Sequence, residues 1–96
     1  MSRIPRQARR DQNEPEIVAA LEAMGFSVTR ISGSGVPDLV VGKGAWMRFV
    51  EIKAAKGTYT PAQNAWRTKW RGPAPITLRS IQEAERFMVL AMETSQ

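Results

Sequence analysis

The sequence predicts an α/β domain in which helices flank a mixed central β-sheet. Apolar residues at helical spacing alternate with short β-prone segments, and turn residues separate them in the order α-β-β-β-α-β-α. A chain of 96 residues, 43% of them hydrophobic and 24% charged, is enough for one packed domain. We therefore expect a flexible basic arm over residues 1–12 and a single α/β sandwich over residues 13–96.

The first helix is predicted to begin at Asn13 and to end at Gly25. Asn13 is a favoured N-cap residue, Glu16 follows three positions later as in a capping box, and Pro15 suits the first turn. Apolar residues continue the helical spacing at Ile17, Val18, Leu21 and Met24. Gly25 is then expected to terminate the helix.

Three strands are predicted next, over residues 26–31, 38–41 and 46–54. The first alternates apolar and polar residues, and a run of Ser and Gly residues closes it. The turn signal at residues 42–45 separates the other two strands, so these two should be antiparallel neighbours.

A second helix, a fourth strand and a third helix complete the order. Thr60 and Ser80 each precede Gln or Glu by three positions, which predicts two capped helix starts. The second helix is expected to extend to Gly72, and the fourth strand to cover residues 75–79. The Trp residues favour core or interface packing over base-stacking platforms; they are Trp46, Trp66 and Trp70.

The composition excludes several kinds of site. The chain has no Cys and no His, which excludes disulfides, the common zinc sites, Ser-His-Asp triads and Cys-His pairs. No apolar run approaches the roughly 20 residues of a membrane span, and the start of the chain lacks the apolar core of a signal peptide. We expect a cytoplasmic protein, in the host cytoplasm if it is phage-encoded, with no membrane partner and no nucleotide cofactor.

The net charge of +5 is unevenly distributed along the chain. Residues 1–13 carry +3 and residues 52–82 carry six basic residues with no acid, whereas residues 14–51 are net acidic. Basic blocks around an acidic cluster suit a cation site on a surface that attracts nucleic acid. An ordinary basic, solvated surface explains the charge equally well.

Asp38, Glu51 and Lys53 are predicted to meet on the sheet. Side chains alternate along a strand, so Glu51 and Lys53 face the same way, and Asp38 begins the neighbouring strand. Glu14 lies upstream on the first helix. Three carboxylates and a Lys around one point favour a hard, oxygen-bound cation such as Mg²⁺, which can support hydrolysis of phosphodiesters.

The motifs in this order resemble the PD-(D/E)XK nuclease superfamily, and specifically a stand-alone VRR-Nuc domain; the likeness extends to archaeal-type Holliday junction resolvases. It covers about residues 13–88 and implies a restriction-endonuclease-like core. The matching stretches are Asn13-Glu14-x-Glu16-Ile17-Val18, Gly25-Phe26-x-Val28, Gly33-Ser34-Gly35-Val36-Pro37-Asp38-Leu39, Val50-Glu51-Ile52-Lys53 and Thr60-Pro61-x-Gln63.

The resemblance implies roles for residues at matching positions. Asp38 is the central metal ligand, Glu51 the second, the Ile52 carbonyl a third, and Lys53 the catalytic Lys. Glu14 is the helical acid that holds a metal directly or through water. Two alternatives stay open: an acid favoured there by the helix dipole, and Glu16 as the rival acid, which fits the capping box better.

Gln63 resembles the family's helical Gln that contacts the nucleophile, the Lys or the phosphate, although Thr60-x-x-Gln63 is equally a capping box. The loop around Ser34 resembles a glycine-rich loop near the DNA backbone, and a plain turn is an equal alternative. The residues predicted to contact DNA lie either in one of the two basic blocks or in the loop next to the site. They are Arg3, Arg6, Arg9, Arg10, Ser34, Lys56, Arg67 and Arg71. Arg67 and Arg71 also fit an ordinary solvated helix face.

We expect a Mg²⁺-dependent, structure-selective endonuclease acting on branched DNA such as four-way junctions, with Mn²⁺ able to substitute. Resolution of a junction by paired nicks needs two active sites, which predicts a homodimer. A non-catalytic DNA-binding module on the same fold is one alternative. A nuclease acting on flaps, nicks or single strands is another.

Overall fold

The computed structural model describes residues 11–94. Its helices are α1 (Glu14–Ala23), α2 (Pro61–Lys69) and α3 (Ile81–Thr94), and its strands are β1 (Ser27–Arg30), β2 (Leu39–Lys43), β3 (Trp46–Ile52) and β4 (Ile76–Leu78). The predicted order α-β-β-β-α-β-α is confirmed. Most of the predicted arm, including Arg3, Arg6, Arg9 and Arg10, lies outside the described residues.

The four strands form one mixed sheet in the order β1-β2-β3-β4. β2 pairs with β3 in antiparallel fashion, as the hairpin signal predicted, and β1 pairs with β2 in antiparallel fashion as well. β3 pairs with β4 in parallel, because α2 carries the chain back to the start of β4. A mixed sheet flanked by helices, consistent with the restriction-endonuclease-like fold, is therefore confirmed.

The core lies between one face of the sheet and helices α1 and α3. Its fully buried side chains include Leu39, Val41, Val50, Ile52 and Leu78 from the sheet, with Ile17, Leu21, Ala84 and Met88 from the helices. Side chains alternate along β3, so Phe49 and Glu51 project from the opposite face, toward α2.

Aromatic packing attaches α2 to this second face. Phe49 meets Trp66 and Trp70 edge to face, with ring centroids 5.5 Å and 5.1 Å apart. Trp66 and Trp70 stack on each other at 5.1 Å. Trp46 packs instead against Phe26, beside the core. The Trp side chains thus make packing contacts within the protein, and Trp70 is also partly exposed.

Two local features differ from the prediction. Asn13 stands at the N-cap of α1 as predicted, but its Oδ1 accepts no capping bond, and its Nδ2 donates to the backbone oxygens of Lys53 and Arg79. The second helix ends at Lys69, short of Gly72: Trp70 adopts an extended conformation, and its Nε1 donates to Pro73 O. No helix within residues 11–94 is long and apolar enough to span a membrane.

Candidate active site

The position of Asp38 follows from the pairing of β2 with β3. Asp38 lies between buried Pro37 and the first residue of β2, and the register of Leu39 with Val50 brings it opposite Glu51. Its Oδ2 accepts a hydrogen bond of 2.8 Å from the backbone nitrogen of Ile52. The carboxyl group is therefore fixed against the strand that carries the other predicted site residues.

Glu51 and Lys53 are joined by Gln63 from α2. Gln63 Nε2 donates to Glu51 Oε2 at 3.0 Å, and Lys53 Nζ donates to Gln63 Oε1 at 2.7 Å. Glu51 is 3% exposed and Lys53 is 8% exposed. A carboxylate and an ammonium group so deeply buried are costly unless paired, and the amide gives each of them a partner.

Gln63 performs both of the functions that its position in the sequence allowed. Its Oε1 also accepts from the backbone nitrogen of Thr60 at 2.9 Å, and its own backbone nitrogen donates to Thr60 Oγ1 at 3.1 Å. This is a complete capping box at the start of α2. The helix start and the site therefore share one side chain.

Glu51 and Asp38 form a carboxyl pair. Burial raises the pKa of Glu51 to about 8, and a hydrogen bond to Asp38 and the charge of Asp38 act in the same direction. The charges of Lys53 and Arg67 oppose this rise in the Glu51 pKa. Near neutral pH the pair retains a proton, which relieves the repulsion between two adjacent carboxylates.

This donor set fits a divalent cation. Two carboxyl groups in contact beside the Ile52 peptide provide hard oxygen atoms, and Mg²⁺ is commonly bound by one or two carboxylates together with water and substrate phosphate. A cation at the pair would replace the shared proton and remove the repulsion.

Glu14 is not part of this pair. Its side chain is 2% exposed, and its Oε2 accepts from Arg30 Nε at 2.7 Å. Within residues 11–94, no group of three or more acidic side chains is arranged to hold a metal ion. Three carboxylates therefore do not converge directly on one point in this part of the chain, because the fold places the guanidinium of Arg30 against Glu14, and the role of Glu14 at a metal stays a prediction.

A family model described as archaeal Holliday junction resolvase (hjc) matches residues 6–64. The match covers more than half of the chain and includes Glu14, Asp38, Glu51, Lys53 and Gln63. The chain belongs to this resolvase family. It is thus a member of a PD-(D/E)XK nuclease-like family, whereas the finer resemblance to VRR-Nuc domains stays a prediction. Searches of the curated proteins and of the solved structures each found no match.

Two charged residues near the resolvase-family site were not predicted from the sequence. Burial raises the pKa of Asp11, as do the charges of Asp38 and Glu14, and the charge of Lys53 lowers it, so Asp11 lies near all three. Asp11 was missed because it falls in the segment predicted to be a flexible arm. Arg30, which pairs with Glu14, was also missed, although its place at the end of β1, opposite the first residue of β2, puts it close to Asp38 along the sheet.

The backbone that follows Lys53 is fastened by Arg79. Arg79 Nη1 donates to the carbonyl oxygens of Ala54 at 2.7 Å and Gly57 at 2.8 Å, and Asn13 Nδ2 reaches Lys53 O at 3.2 Å. Arg79 belongs to the basic block that suggested nucleic-acid binding. Its guanidinium makes structural contacts with the backbone just after Lys53.

The predicted DNA-contact residues within the described part of the chain differ in their exposure and in their neighbours. Arg67 is half-buried and its charge acts on Glu51, so it adjoins the site. Ser34 is exposed and lines an open cavity of about 250 Å³ together with Trp66 and Lys69 of α2. Lys56 and Arg71 are exposed.

The loop that carries Ser34 packs tightly on the start of α2. Gly35 has a φ of +77°, and a Cβ atom there would lie 2.3 Å from Ala62 O. Only glycine fits such an approach without displacing the helix. The loop and α2 therefore form one continuous surface next to the carboxyl pair.

Proposed function

We propose that this protein is a Mg²⁺-dependent endonuclease that hydrolyses phosphodiester bonds in branched DNA such as four-way junctions. The observation that carries the proposal is the buried contact network of Asp38, Glu51, Lys53 and Gln63. Membership of the resolvase family supports the substrate class. The buried charges argue against a purely DNA-binding module, since a fold without catalytic use for them would gain stability from apolar replacements.

Asp38, Glu51 and the Ile52 carbonyl would hold the cation, and Glu14 would reach it through water. When bound, Mg²⁺, or Mn²⁺ in its place, supplies charge neutralisation for the scissile phosphate and an activated water. The proposal for Glu14 rests on its burial near Asp11 and Asp38.

Lys53 and Gln63 are the side chains that would act on the reacting groups without binding the cation. The Lys53 ammonium is buried and held by the Gln63 amide, so it is aimed into the site before DNA arrives. There it orients the attacking water or stabilises the negative charge that develops on the phosphate. Gln63 keeps Glu51 and Lys53 at a fixed separation.

Affinity for DNA would come from phosphate contacts. Exposed Lys56 and Arg71, half-buried Arg67, Ser34 in its loop, and the arginines of residues 1–10 are the candidates. Such contacts release counterions, so binding should weaken steeply as salt increases. Few of these residues suit recognition of base edges, which favours selectivity for DNA structure over sequence.

A homodimer would place two sites on one junction. The second sheet face offers an apolar surface for it, with Met47 66% exposed beside Phe49 and Trp70. These residues line a cavity of about 130 Å³ together with Val40 and Pro73. Exposed apolar surface of this kind is typical of protein interfaces.

The decisive experiment is a panel of labelled DNAs: four-way junction, flap, nicked duplex, linear duplex and single strand. Each is incubated with Mg²⁺, Mn²⁺ or EDTA, with Asp38→Asn protein as the control. We expect metal-dependent paired nicks in the junction and little cleavage of linear duplex. Binding without metal-dependent cleavage of any DNA would contradict the nuclease proposal, and preferential cleavage of flaps, nicks or single strands would change the substrate.

A further inference from the structure

Tyr59 adjoins the candidate active site although no sequence motif identified it. It lies in the loop between β3 and α2, immediately before the N-cap residue Thr60, and its side chain is half-buried. The hydroxyl group contacts Thr77 Oγ1 on β4. Thr77 is the register partner of Glu51, so the Tyr59 ring is anchored to the sheet beside the carboxyl pair.

Two cationic groups lie against the Tyr59 ring. Arg67 Cζ is 4.1 Å from the ring centroid and Lys53 Nζ is 5.3 Å from it. Both distances fall within the roughly 6 Å range of a cation–π interaction. The negative face of the ring attracts each cation and so favours both side chains in these positions.

Arg67 and Lys53 differ in how their hydrogen-bond donors are used. Lys53 Nζ donates to Gln63 Oε1. Arg67 Nη1 is shielded from solvent and has no hydrogen-bond partner among the residues that the structure describes. A shielded donor without a partner is uncommon and calls for an explanation. Arg67 lies one helical turn after Gln63, whose amide contacts Glu51, and the charge of Arg67 acts on Glu51, so the guanidinium is on the face of α2 that meets the carboxyl pair.

We propose that Tyr59 is a positioning residue that holds the Arg67 guanidinium beside Lys53, so that the guanidinium donates to a non-bridging oxygen of the scissile phosphate. The inference rests on the proposed nuclease function and deepens it. A guanidinium group suits phosphate oxygens because its donors are planar and permanently charged. Stacking on the ring fixes that plane before DNA binds, so less conformational entropy is lost in the complex.

The test compares Tyr59→Leu, Tyr59→Phe, Arg67→Gln and the Tyr59→Leu/Arg67→Gln double variant. Single-turnover cleavage of a four-way junction is measured with saturating protein and Mg²⁺, and DNA affinity is measured separately in Ca²⁺. Arg86→Gln, an exposed substitution on α3, is the matched control for Arg67→Gln. Thermal melting identifies variants that do not fold, and Tyr59→Met replaces Tyr59→Leu if that variant fails to melt cooperatively.

We expect Tyr59→Leu and Arg67→Gln each to slow cleavage by at least about tenfold and to weaken DNA binding by a smaller factor, because the other proposed phosphate contacts remain while the guanidinium no longer meets the scissile phosphate. Tyr59→Phe retains the ring and should restore most of the rate. The double variant should be no slower than Arg67→Gln, because Tyr59 acts through Arg67.

Three results would overturn the inference in a wild-type protein that cleaves junctions: an unaffected rate in Tyr59→Leu or Arg67→Gln, effects that multiply in the double variant, or a Tyr59→Phe protein as slow as Tyr59→Leu. In each case the proposed nuclease function stands. If the wild-type protein cleaves no DNA with either metal, the proposed function fails, and the inference fails with it.

Discussion

Gln63 Nε2 donates a hydrogen bond to Glu51 Oε2 over 3.0 Å, and through this bond the first turn of α2 is connected to the strand that carries the active-site carboxylate. The other end of the same amide accepts from both Lys53 Nζ and the backbone nitrogen of Thr60. The Gln63 side chain therefore belongs both to the capping box and to the site.

Thr60→Ala and Gln63→Ala separate these two functions. Thr60→Ala removes the hydroxyl that accepts from Gln63 N and leaves the bond from the residue 60 backbone nitrogen to Gln63 Oε1. It should lower the free energy of unfolding by about 1 kcal/mol with cleavage unchanged. Gln63→Ala should destabilise the protein and also slow single-turnover cleavage by about 100-fold, since Lys53 and Glu51 lose their common partner. Denaturant titration and junction cleavage measure the two effects. Equal loss of cleavage in both variants would mean that the cap alone matters.

Asp38→Asn and Lys53→Ala should each lower cleavage by about 100-fold to 1,000-fold. The first removes a carboxylate ligand of the proposed cation, and the second removes the ammonium group aimed at the negative charge of the transition state. Neither should weaken DNA binding much, since the phosphate contacts lie elsewhere. Cleavage and affinity are measured as separate quantities on the same junction. Glu16→Gln, at an exposed acid of α1, is the matched control and should retain activity. An active Asp38→Asn protein would count heavily against the assignment.

Strand alternation and capping explain why so much of the site was predictable. Period-two alternation in β3 places Val50 and Ile52 in the core and leaves Glu51 on the other face. The hairpin turn fixes the register that brings Asp38 opposite Glu51. These are local rules, and the sequence contains all the information that they need.

Several contacts that the sequence did not predict join segments far apart in the chain. Glu14 pairs with Arg30, and the side chain of Asn13 reaches Lys53 O and Arg79 O. Each contact depends on the position and orientation of α1 relative to the sheet. Helical periodicity predicts which face of α1 is buried but not this orientation. Asp11 was missed for the same reason: no spacing rule relates a residue before the helix to the start of β2.

The Glu14–Arg30 ion pair should stabilise the fold. Arg30→Gln removes it from a carboxylate that is 2% exposed, and the free energy of unfolding should fall by about 1–3 kcal/mol. In a double-mutant cycle with Glu14→Gln, the two effects should be less than additive, which isolates the pair. Urea titration measures all four proteins. Arg86→Gln, at an exposed arginine of α3, controls for loss of charge, and a destabilisation equal to that of Arg30→Gln would contradict this prediction.

The metal-free protein should lose stability as the pH rises. Glu51 has a pKa of about 8 in the folded protein against an ordinary value of 4.5, chiefly because of burial and the adjacent Asp38 carboxyl, with Lys53 and Arg67 acting in the opposite direction. Between these two pH values the folded state retains a proton that the unfolded chain releases. The resulting stabilisation is complete below the unfolded pKa of Glu51 and is lost as the pH rises through about 8.

Thermal melting in EDTA between about pH 6 and about pH 9 measures this loss. Glu51→Gln removes the titrating group and should flatten the pH dependence of the melting temperature across this range. Added Mg²⁺ should restore stability to the wild-type protein at the alkaline end, since the cation takes the place of the proton. An equally steep decline in Glu51→Gln would show that another group is responsible.

The apolar surface around Met47 should form the contact between two copies of the chain. Met47→Glu places a charge on this surface, and burial of an unpaired charge in an interface is costly, so the dimer should dissociate while the fold is retained. Sedimentation velocity gives the oligomeric state, and circular dichroism checks the fold. Leu90→Glu on α3, where Leu90 is 51% exposed, is the matched control and should leave the dimer intact. The yield of paired nicks in the junction should decrease when the dimer dissociates, because coordinated incision needs two sites. A wild-type protein that is monomeric and still makes paired nicks would contradict the homodimer.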